Sequence, residues 1–396
     1  MIEAAPVDRT AGQATADDLP DELHVVATVN AAWNIWNFRR PIVEALLSMG
    51  HRVTVLAPKD NSISDLERIG CRFVHFPMDP KGLNPLREIG TMRRLRAQFD
   101  LLQPDVVLSY TIKNNIFGAM AARKQRIPFI PNVSGLGTAF LSGGMLRRVS
   151  EWLYRPAFRN LGTVFFQNES DLAIFVERRL VREDQARLLP GSGVDLQHFA
   201  PAQYPDPDQP PTFLMMARLL RDKGVVEFAE AARLVRQTHP QARFQLLGPV
   251  VAQNRTAIDL ATVRAWETSH GVEYLGEAED VRGHVAKAHC IVLPSFREGT
   301  SKALIEAAAM ARPLIASDVP GCREVVDDGV NGFLCEARNP QSLAQACLRF
   351  LDMPPEHQDA FGKSGRAKAE REFDQAIVVK AYLGAIGDVL RKESSR

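Results

Sequence analysis

Ser295-Phe296-Arg297-Glu298-Gly299-Thr300-Ser301-Lys302-Ala303-Leu304-Ile305-Glu306 follows an apolar run of strand length, residues 289–294, and opens into alanine-rich sequence of helical character. The order is strand, tight loop, helix N-terminus. Ser301 is an N-cap candidate, so the free N–H groups of the first turn and the positive end of the helix dipole face whatever sits above the strand. That arrangement suits an anion, most simply a phosphate. Glu298 in the loop and Glu306 in the helix bracket it, the second about 7 Å further along if the helix starts near Ser301. On residues alone the pair also reads as a solvated capping carboxylate plus a surface glutamate. Gly299, where backbone can approach a ligand closely, and a helix too rich in alanine for a surface element favour a ligand site.

Working outward, apolar runs at 24–29, 52–57, 71–76, 105–109, 128–133 and 163–166 alternate with amphipathic stretches such as 41–49 and 86–101. This alternation predicts a parallel α/β sheet with ligands at the C-terminal strand ends. It restarts after a proline-rich stretch, with runs at 212–216, 244–247, 272–275, 290–293 and 314–316. Two domains also suit 396 residues. The expected boundaries are a disordered tail over 1–21, an N-terminal Rossmann-like domain over 22–199, a linker over 200–211 and a C-terminal Rossmann-like domain over 212–374. Amphipathic segments at 358–373 and 375–392 close the chain.

With 48 Lys plus Arg against 47 Asp plus Glu, the charge balance excludes bulk nucleic-acid binding. Cys71, Cys290, Cys322, Cys335 and Cys347 form no CxxC pair and read as reduced packing residues. No run approaches the roughly 18 apolar residues of a membrane span, and the start lacks the basic-then-apolar order of a signal peptide. The expected location is cytoplasmic, with at most peripheral contact with the inner face of the cell membrane. One candidate contact carries Met145, Val149, Trp152, Leu153 and Pro156 on one helical side and Arg147, Arg148, Glu151 and Arg155 on others, with a second basic cluster at Arg87, Arg93, Arg94 and Arg96. Such helices lie in anionic interfaces, or pack as ordinary core-facing helices with a basic outer face.

A second constellation, Arg218-Leu219-Leu220-Arg221-Asp222-Lys223-Gly224, ends the first strand after the proline-rich stretch, where an Arg and a Lys can neutralise two phosphates. A solvated basic loop is its other reading. Together with the Gly191-Ser192-Gly193-Val194-Asp195 turn and the E-x7-E spacing from Glu298 to Glu306, it resembles the GT-B retaining glycosyltransferases of the glycosyltransferase 4 family. The resemblance covers nearly everything from Leu23 onward. It implies two Rossmann-like domains facing a central cleft, with acceptor on the N-terminal domain, nucleotide-sugar on the C-terminal one, and the last helix, 375–396, returning to the N-terminal domain. By the same resemblance Glu298 contacts the donor sugar, Arg218 and Lys223 the diphosphate, Thr300 and Ser301 the phosphates through backbone groups, and Glu306 the ribose. Gly276 lies near the base.

Residues 30–40, the first strand-to-helix loop, carry Asn and Ala where many members have glycines. With Tyr110-Thr111-Ile112-Lys113 and Val133-Ser134-Gly135-Leu136-Gly137-Thr138 they are similar to a narrower branch, bacterial transferases extending sugars on polyprenyl diphosphates, N-acetylgalactosaminyltransferase-like. Asn30, Trp33, Lys113 and Gly135 are the acceptor-side candidates, with packing as the alternative for Trp33 and Trp36. Departure of a nucleoside diphosphate leaves an oxocarbenium-like sugar, so the catalytic need is to stabilise charge on the leaving phosphates. Arg218, Lys223 and the helix N-terminus can supply this without a metal or other cofactor, and Asp206-Pro207-Asp208 reads as structural. No Ser-His-Asp order, HExxH, P-loop or GxGxxG stands at a strand–helix junction, and the nine histidines show no metal-ligand spacing. The expectation is retaining transfer from a nucleotide-diphosphate sugar, UDP-linked, to a lipid-linked glycan. The alternatives are a UDP-sugar 2-epimerase of the same fold and a non-catalytic nucleotide-sugar-binding assembly subunit.

Overall fold

The computed structural model describes residues 19–78, 85–136, 144–251, 254 and 256–394. The expected tail lies outside them up to residue 18, as do Gly137 and Thr138 and the side chains of Arg87 and Met145. The chain divides into two compact units, Met1–Leu189 with Ala376–Arg396, and Pro190–Gln375.

The first unit is a seven-stranded parallel sheet: β1 (His24–Thr28), β2 (Arg52–Ala57), β3 (Arg72–His75), β4 (Val106–Tyr110), β5 (Phe129–Val133), β6 (Val164–Phe166) and β7 (Ala186–Leu188), in the order β3-β2-β1-β4-β5-β6-β7. Successive residues of a strand point to opposite faces, and both faces are covered. Val25 and Ala27 of β1 enter one core while Val26 enters the other; Val106 and Leu108 of β4 flank Val107 in the same way. This explains the unbroken apolar runs. The helix Gln375–Ser394 supplies Val378, Tyr382, Leu383, Ala385, Ile386 and Val389 to the first of these cores. Its Tyr382 hydroxyl accepts from Asn132 Nδ2 of β5 at 2.8 Å.

The second unit is a six-stranded parallel sheet: β8 (Thr212–Met216), β9 (Arg243–Leu247), β10 (Val272–Tyr274), β11 (Cys290–Leu293), β12 (Leu314–Ser317) and β13 (Gly332–Cys335), in the order β10-β9-β8-β11-β12-β13. Strand order reverses between β1 and β4 in one unit and between β8 and β11 in the other. Such points open crevices beyond the carboxyl ends of the strands.

Three expectations need correction. The proline-rich stretch 200–211 is not a joint between the units but part of the second one. It has partners there: Ala202 N donates to Met310 O at 3.3 Å, and the Tyr204 side-chain hydroxyl lies 3.2 Å from His289 O. The fully buried Arg312 donates to Gln203 O at 2.6 Å. Proline stiffness made it read as a spacer, whereas the same stiffness lowers the cost of fixing it on a surface. Residues 30–40 are not a loop, since Ala32–Phe38 is a helix preceding Arg40–Ser48. Two strands, β7 and β13, were not among the expected runs; β7 is three residues long and carries Arg187 between Ala186 and Leu188, and β13 is a short Phe333-Leu334-Cys335 run after a glycine. Among the described residues no helix is long and apolar enough to cross a membrane.

Candidate active site

At the switch point of the second unit, two loops leave adjacent strands and are laced together. Arg221–Lys223 forms a single 3-10 turn after β8. Asp222 O of that turn accepts from Phe296 N at 2.9 Å in the loop after β11. Gly224, at φ +77°, lies so close to Pro294 that an added Cβ would overlap its carbonyl oxygen, so only glycine fits. This lacing brings Lys223 onto Glu298: its ammonium donates to Glu298 Oε1, with side chains 19% and 13% exposed. Ser295 Oγ donates to the same carboxylate oxygen at 2.6 Å. Glu298 is held from behind as well. Its N–H donates to Pro320 O at 3.0 Å, and Gly321, at φ +86°, lets the backbone close in, where a Cβ would stand 2.5 Å from Glu298 Cβ.

The helix Lys302–Ala309 starts at Ser301, whose Oγ accepts from Leu304 N at 3.3 Å. The cradle is therefore partly satisfied from within, because Ser301 N donates to Gly321 O at 3.0 Å. That amide is not open to a phosphate, which corrects the backbone role expected for Ser301. Thr300 packs against Gly191 of the Gly191–Asp195 turn, whose added Cβ would meet Thr300 Cβ at 2.9 Å. Glu306 Oε1 lies 3.4 Å from Lys302 Nζ, with only 13% of the Glu306 side chain exposed. Burial pushes the Glu306 carboxyl above its ordinary range, and the Lys302 ammonium opposes that shift. Gly276, two residues past β10, accepts from Gly248 N at 2.7 Å. Arg218, just past β8, is exposed and makes no ion pair among the described residues. The structure thus joins Lys223 to Glu298 and leaves Arg218 outside that pair.

At the switch point of the first unit lies a cavity of about 270 Å³ lined by Asn30, Lys113 and Gly135 together with Thr111, Asn115 and Ser134. Each of the three expected residues follows the end of a different strand: β1, β4 and β5. Lys113 Nζ donates to Glu88 Oε1 at 2.6 Å, both side chains largely buried. Thr111 holds φ +73°, a strained value for a residue with a Cβ. Its Oγ accepts from Asn114 Nδ2 at 3.0 Å, at the start of a π-helical turn, Asn114–Gly118. Trp33 is not part of this lining. It lies 51% exposed on the helix Ala32–Phe38, edge-on to Phe38, with its backbone N–H donated to Asp60 Oδ2 at 2.8 Å.

The sequence reading missed Ser295, Asp222, Gly321 and Glu88. Ser295 stood inside the quoted stretch, but Gly321 and Glu88 are 23 and 25 positions from the residues they support, with no local pattern to mark them. Asp206 of the Asp206-Pro207-Asp208 lookalike caps its own turn by accepting from Asp208 N at 3.0 Å. Among the described residues no group of three or more His, Cys, Asp or Glu is placed to hold a metal ion.

Residues 35–192 match the family model described as a glycosyl transferase 4-like domain, and residues 210–353 the model described as glycosyl transferases group 1. A relative from Campylobacter jejuni, N,N'-diacetylbacillosaminyl-diphospho-undecaprenol alpha-1,3-N-acetylgalactosaminyltransferase, is 27% identical over 91% of this chain and 98% of its own. The UDP-Gal:alpha-D-GlcNAc-diphosphoundecaprenol alpha-1,3-galactosyltransferase of Escherichia coli is 26% identical over 67% of this chain and 71% of its own. Among solved structures, Anabaena HepE in complex with UDP and glucose aligns with a TM-score of 0.74 at 18% identity, over 94% of this chain and 100% of that one. The two parallel sheets are those of its fold. By these matches and by its architecture, the chain belongs to the GT-B glycosyltransferases of the glycosyltransferase 4 family, with a glycosyl transferase 4-like domain followed by a group 1 domain.

Proposed function

We propose that the protein transfers a hexose or N-acetylhexosamine, with retention, from a UDP-sugar to a glycan carried on a polyprenyl diphosphate. The observation that carries this reading is the Lys223–Glu298 pair at the strand-order reversal of the second unit. An ammonium beside a carboxylate gives one site both a cation for the leaving diphosphate and an acceptor for sugar hydroxyls. Both relatives described above act, by name, on a sugar linked through a diphosphate to undecaprenol, which supports the acceptor class.

In this reading the bond from the sugar C1 to the diphosphate oxygen breaks, and negative charge gathers on the leaving group. Lys223 and Arg218 offset it. An acceptor hydroxyl oxygen bonds to C1, and its proton leaves with the diphosphate, so the protein's own cations suffice and no metal enters the step. Glu306 accepts from the ribose hydroxyls. The first unit binds the acceptor at Asn30, Lys113 and Gly135.

An anionic membrane surface is part of the proposal, with the protein peripheral on the cytoplasmic face. On the helix Gly144–Phe158 the residues Arg148, Val149, Trp152, Arg155 and Pro156 are all exposed, Trp152 at 72%. A tryptophan flanked by arginines on one outer face suits the headgroup layer. Incubation with UDP-sugars and undecaprenyl-diphosphate glycans in the presence of EDTA tests the chemistry. Formation of an extended lipid-linked glycan with the donor's anomeric configuration is expected. Epimerised UDP-sugar without acceptor, or donor binding without any turnover, would sink it.

A further inference from the structure

The carboxylate of Glu298 is served through one oxygen. Lys223 Nζ and Ser295 Oγ both donate to Oε1, and among the described residues no donor reaches Oε2. The two donors differ in kind. Lys223 is a charge on a flexible four-carbon stem, with its side chain 19% exposed. Ser295 is uncharged and fully buried, one residue past the Pro294 that Gly224 packs against.

A serine hydroxyl has one proton to give. Three acceptors lie within its reach: Glu298 Oε1 at 2.6 Å, Asp222 O at 3.3 Å and Arg297 O at 3.5 Å. The carboxylate is the nearest and the only charged one, and its distance is that of a charge-assisted O–H···O bond. Asp222 O already accepts from Phe296 N, so the proton is not needed there.

The difference between the donors matters when an anion arrives. An ammonium shared with phosphates holds a carboxylate less strongly, so a diphosphate competes for Lys223. It does not compete for Ser295, which is neutral and has no exposed surface. We propose that Ser295 is a positioning residue for Glu298: it keeps Oε1 in place while Lys223 turns its charge to a bound diphosphate, and so leaves Oε2 open for the sugar hydroxyls. The inference rests on the reading of this site as the donor site.

The test is a double-mutant cycle read by calorimetric titration of UDP into the full chain. Ser295→Ala is expected to weaken UDP binding about tenfold or more, the worth of one hydrogen bond to a charged group. In a Glu298→Gln background, where no charge needs holding, the same change is expected to cost about threefold or less. A serine that merely packs would weaken UDP by one factor in both backgrounds, and that result overturns the proposal, as does unchanged affinity in Ser295→Ala. A second cycle needs no ligand. Ser295→Ala is expected to leave the unfolding midpoint in urea close to wild type, because Lys223 still serves Oε1. Combined with Lys223→Met, it is expected to lower the folding equilibrium constant a further tenfold or about that. Equal effects with and without Lys223→Met overturn the proposal too. The two cycles separate it from the reading beneath it. No UDP binding by wild type, with the unfolding contrast present, removes the donor reading and keeps Ser295 as the residue that holds Glu298. UDP binding without either contrast keeps the donor site and removes the role of Ser295.

Discussion

Lys223 and Glu298 are 75 positions apart, and each has the other as its principal counter-charge. Their replacements should differ in kind. Glu298→Gln leaves an amide oxygen for Lys223 to donate to, so the fold should hold while transfer falls about 10²–10³-fold. Lys223→Met leaves a mostly buried carboxylate with Ser295 as its remaining donor, which should cost about 2 kcal/mol more in stability than the glutamine change. Thermal unfolding of the two variants side by side, with transfer rates, checks both. Glu306 allows a pH argument. Its carboxyl is raised from an ordinary 4.5 by burial, so between that value and its raised value the folded chain holds a proton the unfolded chain has lost. Stability from this group is accordingly highest at low pH and declines as pH rises through the window. Lys302→Met removes the opposing ammonium and should steepen that decline, matching wild type below pH 4.5 and falling short of it at neutral pH in urea titrations. The two glutamates were legible in the chain because both belong to one strand–loop–helix stretch. The occupied Ser301 amide was not, because its partner Gly321 comes from the loop after the next strand.

Elements, more than residues, were readable. Eleven strands announced themselves as apolar runs, most of them because they are buried on both faces of a parallel sheet. The two that did not, β7 and β13, are short: two of the three β7 residues are exposed, and β13 is three apolar residues after a glycine. Helix Ala32–Phe38 was misread as a loop because its asparagines and two tryptophans obscure a helical period. The crossing of the turn after β8 with the end of β11 was also beyond local reading, and it depends on Gly224. Gly224→Ala forces a Cβ against Pro294 O in a left-handed conformation, and is expected to destabilise the second unit by about 3 kcal/mol. Transfer should fall with it, since the same clash pushes Lys223 from Glu298. An unfolding midpoint equal to wild type would contradict the placement of these loops.

On the scale of the molecule, the near-neutral total conceals a division. The first unit carries 28 Lys plus Arg against 22 Asp plus Glu, a net +6, and the second 20 against 25, a net −5. A basic unit with an exposed Trp152 between Arg148 and Arg155 should bind anionic vesicles in a salt-sensitive way. At about 1 kcal/mol per arginine near such a surface, Arg148→Glu with Arg155→Glu should lower partitioning at least about thirtyfold. Co-sedimentation with phosphatidylglycerol vesicles measures this, and wild-type binding that is indifferent to salt would contradict it.

The return of residues 376–396 to the first sheet has a consequence for synthesis. As the chain leaves the ribosome, the unit made first lacks six of its core side chains, Val378 to Val389, while the unit made second has its whole sequence in hand. The order of completion is thus the reverse of the order of translation. The nascent first sheet must wait, with the face that Tyr382 will cover still bare, until residues 376–396 are made. A chain truncated after Gln375 should therefore have a C-terminal unit that resists protease and an N-terminal unit that does not.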